Sequence, residues 1–359
     1  MKILSAFLLA LVVANGQSPT AKIVTATNAF LATLDQPQRQ KVLFAYNDEA
    51  QRVLWSNFPN GIVQRAGLNM GELNPAQRTA ALAVVFAALS KRGYEKVLQI
   101  MEADEVLKTT EGSAPPGGGA PKGGNGKGKG GGKGKGGPGG GLLFGSDLYY
   151  ISFLGTPSEK TPWMIQWGGH HLAINVTIDG NRGILTPSLT GAQPGTFTRD
   201  GKTIRPLGQE SDKGLALLNA LDENQKKQAI LGFTLADLVL GPGEDGKQIQ
   251  PEGLKASSMN DKQKTMLLDV ISEWAGIVHE SAAADRMAEL KADLNKTWFA
   301  WSGPVTGTPG TNIAAYYRIQ GPHVVIEYAP QGMGGDAANH IHAMYRDPTN
   351  DYGRKPAAK

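Results

Sequence analysis

Two kinds of apolar pattern alternate along the chain. Residues 80–89 and 266–278 repeat apolar positions at three- and four-residue intervals, which puts them on one face of a helix. Asn74-Pro75 opens the first of these with a cap residue and a proline at the first helical position. Asp35 and Asp222 stand as caps before two further amphipathic runs. Residues 274–290 read as another helix, with His279 inside it. Segments 148–153, 163–167 and 172–178 are instead β-rich and bounded by Gly/Pro turns, and so predict strands. Segments 298–301, 315–319 and 324–328 repeat that signature.

The resemblance between these sets extends to single residues. Segment 30–39 aligns with 217–226, Asn74-Pro-Ala-Gln77 with Asn260-Asp-Lys-Gln263, and 166–174 with 318–326. Self-similarity of this kind marks internal repetition. The expected fold class is α+β, internally duplicated, each copy a helical half followed by a β half, about a pseudo-two-fold axis. Copy one covers 17–200 and copy two 201–353, ending in a His-x-His block, with a basic tail at 354–359.

The N-terminus and one internal stretch stand apart. Lys2, an apolar run over residues 3–13 and small residues before Gln17 read as a secretory signal peptide over 1–16, so the mature protein is expected to be secreted or periplasmic. The run is too short to span a membrane, so a transmembrane protein is not expected. Residues 112–141 hold 17 glycines, five lysines and no acid. Little there can be buried to offset the ordering entropy, so a disordered insertion in copy one is expected. A cationic contact with anionic surfaces is the sharper alternative, but the lysines are sparse and have no aromatic residues among them.

That stretch also settles the charge. The chain carries a formal +4 at pH 7. Removing the five insertion lysines, Lys2 and the basic tail leaves the body net negative, so no specific nucleic-acid binding is expected. With no cysteine, disulfides, thiolate metal sites and cysteine nucleophiles are excluded.

The duplicated Asp-x-x-Gln helix starts, the Trp167-Gly-Gly-His-His171 block, Thr186-Pro187-Ser-Leu-Thr-Gly191 and the terminal run from His340 to Gly353 together resemble an exported family catalogued as domain of unknown function 3500. The resemblance covers the mature chain apart from the insertion. It implies size, export and architecture, but no activity.

Chemistry must therefore come from the six histidines. Without cysteine, imidazoles with carboxylates are the remaining route to a tight transition-metal site, for copper, zinc or iron. His340 and His342, two apart on a strand, leave the same face and can converge on one ion. His171 and His323 occupy equivalent positions in the two copies and are the candidates to join them. His170 is expected to point away from His171, and Glu327 to orient an imidazole from outside the ligand set. His279-Glu280 is not a zinc-protease motif, because Ala283 stands where the second histidine belongs.

Arg346 and Asp347 follow the His-x-His pair in a turn-rich run. They read either as catalytic groups over a substrate or as a clasp for the C-terminus. The tryptophans Trp163, Trp167, Trp298 and Trp301 are expected in the core rather than on a sugar-stacking platform. Two functions remain: a secreted metalloprotein, oxidative if it is an enzyme, or a non-catalytic envelope or extracellular protein binding a small molecule or glycan.

Overall fold

Four capping boxes organise the helical parts. Asp35 with Gln38 and Asp222 with Gln225 head the short helices Gln36–Val42 and Glu223–Ala229. Asn74 with Gln77 and Asn260 with Gln263 head Pro75–Ala88 and Asp261–Ala275. The second glutamine of each set also reaches back: Gln77 Nε2 bonds the Thr33 carbonyl and Gln38, and Gln263 Nε2 bonds the Ala220 carbonyl and Gln225. Each long helix is thereby tied to the turn that precedes its short partner.

The structure, a computed structural model, describes residues 17–111, 142–332 and 335–355. The expected signal peptide and the Gly/Lys-rich stretch lie outside the described residues, as does most of the basic tail. The described residues form nine α-helices and a large mixed sheet. In chain order its strands are β1 (Leu43–Phe44), β2 (Leu68–Asn69), β3 (Tyr150–Leu154), β4 (Trp163–Gly169), β5 (Leu172–Asp179), β6 (Arg182–Ile184), β7 (Ser188–Ala192), then β10 (Leu254–Lys255), β11 (Trp298–Ser302), β12 (Tyr316–Gly321), β13 (Val324–Pro330) and β14 (Ile341–Arg346). Strands β8 (Phe197–Arg199) and β9 (Lys202–Ile204) form a separate hairpin.

The main sheet runs β1-β3-β4-β5-β7-β14-β13-β12-β11-β10. Antiparallel β7 and β14 lie at its middle, with Ala343 opposite Thr190 and His342 opposite Gly191. Among the strand ladders of the described residues, only β1 and β3 pair in parallel.

Alternation along the strands separates two faces. Leu172, Ile174, Val176 and Ile178 of β5 pack with Ile23, Phe30, Val84 and Val85 of the helices. Ile319, Val324, Ile326 and Tyr328 pack in the same way with Leu267, Val270 and Trp274. Burial of about 1.5–3 kcal/mol per large side chain on this face is the main force holding helices to sheet. Ala173, Leu189 and Met344 face the other side, where Trp55 and Leu238 from long connections cover them.

The expected helix over 274–290 is instead two helices, Asp261–Ala275 and Glu280–Ala292. Gly276 ends the first, and a bridge between Val278 and Leu89 holds the chain extended. His279 then caps the second, its side chain accepting from the Ala282 N–H. Apolar periodicity continues across the break because Ile277 and Val278 of the extended segment are themselves buried.

Candidate metal centre

The β4–β5 hairpin turns through two residues, His170 and His171, between the paired Gly169 and Leu172. His171 sits at φ 60°, the left-handed region, which swings its ring out of the strand's alternation. Its ring therefore stacks on His170, centroids 3.7 Å apart, instead of pointing away from it. Strand alternation does not hold through a turn, and the expectation of opposed rings fails for that reason.

His340 and His342 approach the same place from the head of β14. His171, His340 and His342 each offer a ring nitrogen, and the three lie within 4.8 Å of one another. The Nε2 atoms of His171 and His340 are 2.9 Å apart, so one ring donates its N–H to the other. Two nitrogens bound to one tetrahedral ion at 2.0–2.1 Å stand about 3.3 Å apart, so the proton occupies a place that an ion could take with little movement. All four rings, His170 included, are at most 9 % exposed. Gly191 makes the approach possible: a Cβ there would lie 2.6 Å from the Ile341 carbonyl and 3.3 Å from His171 Cβ.

Groups that no sequence pattern singled out surround the rings. Asn57 accepts the His171 backbone N–H at 3.1 Å and directs its amide nitrogen to His342 Nε2 at 3.2 Å. Asp237 lies 3.5 Å from His342 Nδ1. Burial alone would raise the Asp237 carboxyl, but the hydrogen bond and charge of His342 and the Leu238 N–H hold it below its ordinary value. Asp104, from the helix Lys91–Glu111, meets His170 Nδ1 at 2.6 Å. Burial still lowers the His170 pKa against that partner, and burial followed by the neighbouring imidazoles holds His171 well below the usual histidine value. His171 is thus neutral at pH 7, the form in which imidazole binds metals.

The remaining sequence candidates sit elsewhere. His323, in the turn between β12 and β13, is 3.0 Å from the Thr349 hydroxyl and 3.5 Å from Asp293, and it is not in the three-histidine group. Glu327 accepts the Val239 and Leu240 N–H groups and the Tyr316 hydroxyl, so it anchors the segment that carries Asp237 and touches no imidazole itself. Arg346 lies on the same strand face as His342, about 13 Å further along. Its guanidinium bonds Asp245, Asp351 and the carbonyls of Leu240 and Gly241. Asp347 pairs with Arg286 at 3.0 Å and caps Thr349. Trp163, Trp167 and Trp301 are buried in the core, as expected, whereas Trp298, at the start of β11, is half-buried with Lys255 over its ring.

Beside His340 lies a cavity of about 100 Å³, bordered by Leu107, Thr110, Gln193, Pro194, Asp336 and Asn339. A much larger one, about 540 Å³, lies beside His323, toward the opposite end of β14. No helix among the described residues is long and apolar enough to cross a membrane.

No curated protein and no solved structure matches the chain. A family model described as protein of unknown function (DUF3500) does match, over residues 16–354, and the chain belongs to that family.

Proposed function

We propose that this protein is an exported metalloprotein in which His171, His340 and His342 hold one transition-metal ion: copper, zinc or iron. One observation carries the reading: three buried imidazoles from two segments, the β4–β5 turn and the head of β14, converge within 4.8 Å, two of them sharing a proton. Such a set costs the apoprotein buried polar surface that an ion would satisfy. Asp237 at Nδ1 of His342 leaves Nε2 for the ion, and the Asn57 amide that covers it would be displaced.

Three imidazoles leave a coordination position open, the arrangement of catalytic rather than closed structural sites. The small cavity beside His340 supplies the way in. A bound ion would supply Lewis-acid or redox chemistry there, and an all-imidazole set suits copper and hence oxidation. Arg346 and Asp347 serve as the clasp for the C-terminal segment, because their charged groups are already engaged. The leader over 1–16 supports a secreted or periplasmic location. The paired capping boxes and the matching strand order on either side of β7 and β14 support an internal duplication, with the ion site built where the two halves meet, His171 from the first and His340 and His342 from the second.

The test is metal analysis of the mature protein after removal and readdition of copper, zinc or iron. One equivalent of one ion is expected in the wild type and less than a tenth of that in His340→Ala/His342→Ala, with both proteins folded by circular dichroism. Substoichiometric metal in the wild type, or equal metal in the variant, would overturn the proposal.

A further inference from the structure

The 540 Å³ cavity lies away from the histidine group and has the size of a small-ligand pocket. One wall is β6 with the segment to Thr186 and the C-terminal turn, and the other is the helix Glu280–Ala292. Thr186 is 2 % exposed, lines the cavity, and leaves its hydroxyl without a partner. Arg182 Nη1 is also buried without a hydrogen bond, at 3.5 Å from Asp179. His279 accepts the Ala282 N–H on Nδ1, so its buried and unpartnered Nε2 carries a proton. Gly183 stands directly against that nitrogen, where a Cβ would approach to 2.7 Å. Unsatisfied buried donors are costly unless a ligand completes them.

Of these groups Arg182 and Thr186 line the cavity, flanking Gly183, which packs against Val278 and Ala282 at the start of the helix, where the dipole also favours an anion. Further along, Asp285 and Glu289 line the cavity four residues apart, hence on one face of the helix. The helix rises about 1.5 Å per residue, so the carboxylates begin some 6–9 Å from the donors. Arg286, also in the lining, pairs with Glu289 at 2.9 Å and with Asp347 at 3.0 Å, so Asp285 is the carboxylate of this helix face left to meet a cation, over an apolar floor of Ala275, Val278 and Ala282.

We propose that this cavity binds a zwitterion, an α-amino acid or short peptide, with its carboxylate on Arg182 and Thr186 and its ammonium toward Asp285. The site is independent of the metal centre. Calorimetric titration of the mature protein with alanyl-alanine tests it, alongside the N-acetylated peptide, which lacks the ammonium, and the C-terminal amide, which lacks the carboxylate. Saturable one-site binding of alanyl-alanine is expected, weakened by about tenfold or more in each blocked form and in Arg182→Gln and Asp285→Asn. His340→Ala should bind as the wild type does. No saturable binding at about 1 mM peptide, equal binding of the blocked forms, or binding unchanged in both charge variants would overturn the assignment.

Discussion

The Nε2 atoms of His171 and His340 stand 2.9 Å apart although 169 positions separate the two residues in the chain. The sheet makes this contact. His171 occupies the turn at the end of β4 and β5, and β7 places β5 next to β14, at whose head His340 lies. His171 packs over Gly191 of β7, where a side chain would meet both it and the Ile341 carbonyl next to His340.

Asp237 should matter to the ion without touching it. Its carboxylate faces His342 Nδ1, and it is fixed in turn by the Gln331 amide and by the neighbouring N–H groups that Glu327 holds. A carboxylate in that position orients a ligand ring and raises its basicity. Asp237→Asn is expected to weaken metal binding by about 10–100-fold with little effect on the metal-free melting temperature. Competition titration against a chelator measures this, and unchanged affinity would exclude the role.

Acid should destabilise the metal-free protein. Burial lowers the pKa of both His170 and His171 in the folded state. Below about pH 6.5 the unfolded chain therefore binds protons that the folded chain refuses. Their contribution is complete above that value and is lost as pH falls toward the depressed folded values, at up to about 1.4 kcal/mol per pH unit for each group. Denaturant unfolding between about pH 8 and 5 should show a steeper loss in the wild type than in His171→Asn, where asparagine tolerates the left-handed backbone. Parallel pH profiles would contradict the assignment.

The sequence carried the helix starts, the strands and two of the three clustered ligands by pattern alone, because capping and alternation are local. His171 was legible as a candidate through its match to His323, yet that match says nothing of which turn faces which strand end. His323 lies at the other hairpin, against Thr349 and Asp293, because the two halves of the sheet run antiparallel about β7 and β14. Asn57, Asp104 and Asp237 left no trace in the pattern. They come from a loop, a helix and a second loop, and only tertiary packing brings them to the rings.

Arg346 separates a structural role from a catalytic one. It is 3 % exposed and joins Asp245, Asp351 and two carbonyls of the 240–241 turn. Arg346→Ala strands those buried acceptors and should cost about 3–5 kcal/mol in chemical unfolding. Metal stoichiometry in the folded fraction should stay at the wild-type value. Loss of metal at unchanged stability would instead place Arg346 in the site.

Gly191→Ala gives the sharpest geometric test. The added methyl would meet the Ile341 carbonyl at 2.6 Å, a contact with backbone that cannot rotate away, and His171 Cβ at 3.3 Å. Relief requires β7 and β14 to separate, or the β4–β5 turn to lift, and either movement draws His171 away from His340. Overpacking of this kind costs about 1–3 kcal/mol. Metal affinity should fall along with stability, whereas a substitution at Gly180, whose Cβ position meets nothing within 4 Å, should leave the affinity intact. A Gly191→Ala protein that binds metal as tightly as the wild type would show that His171 is not needed by the ion, and that the His340–His342 pair holds it with other partners.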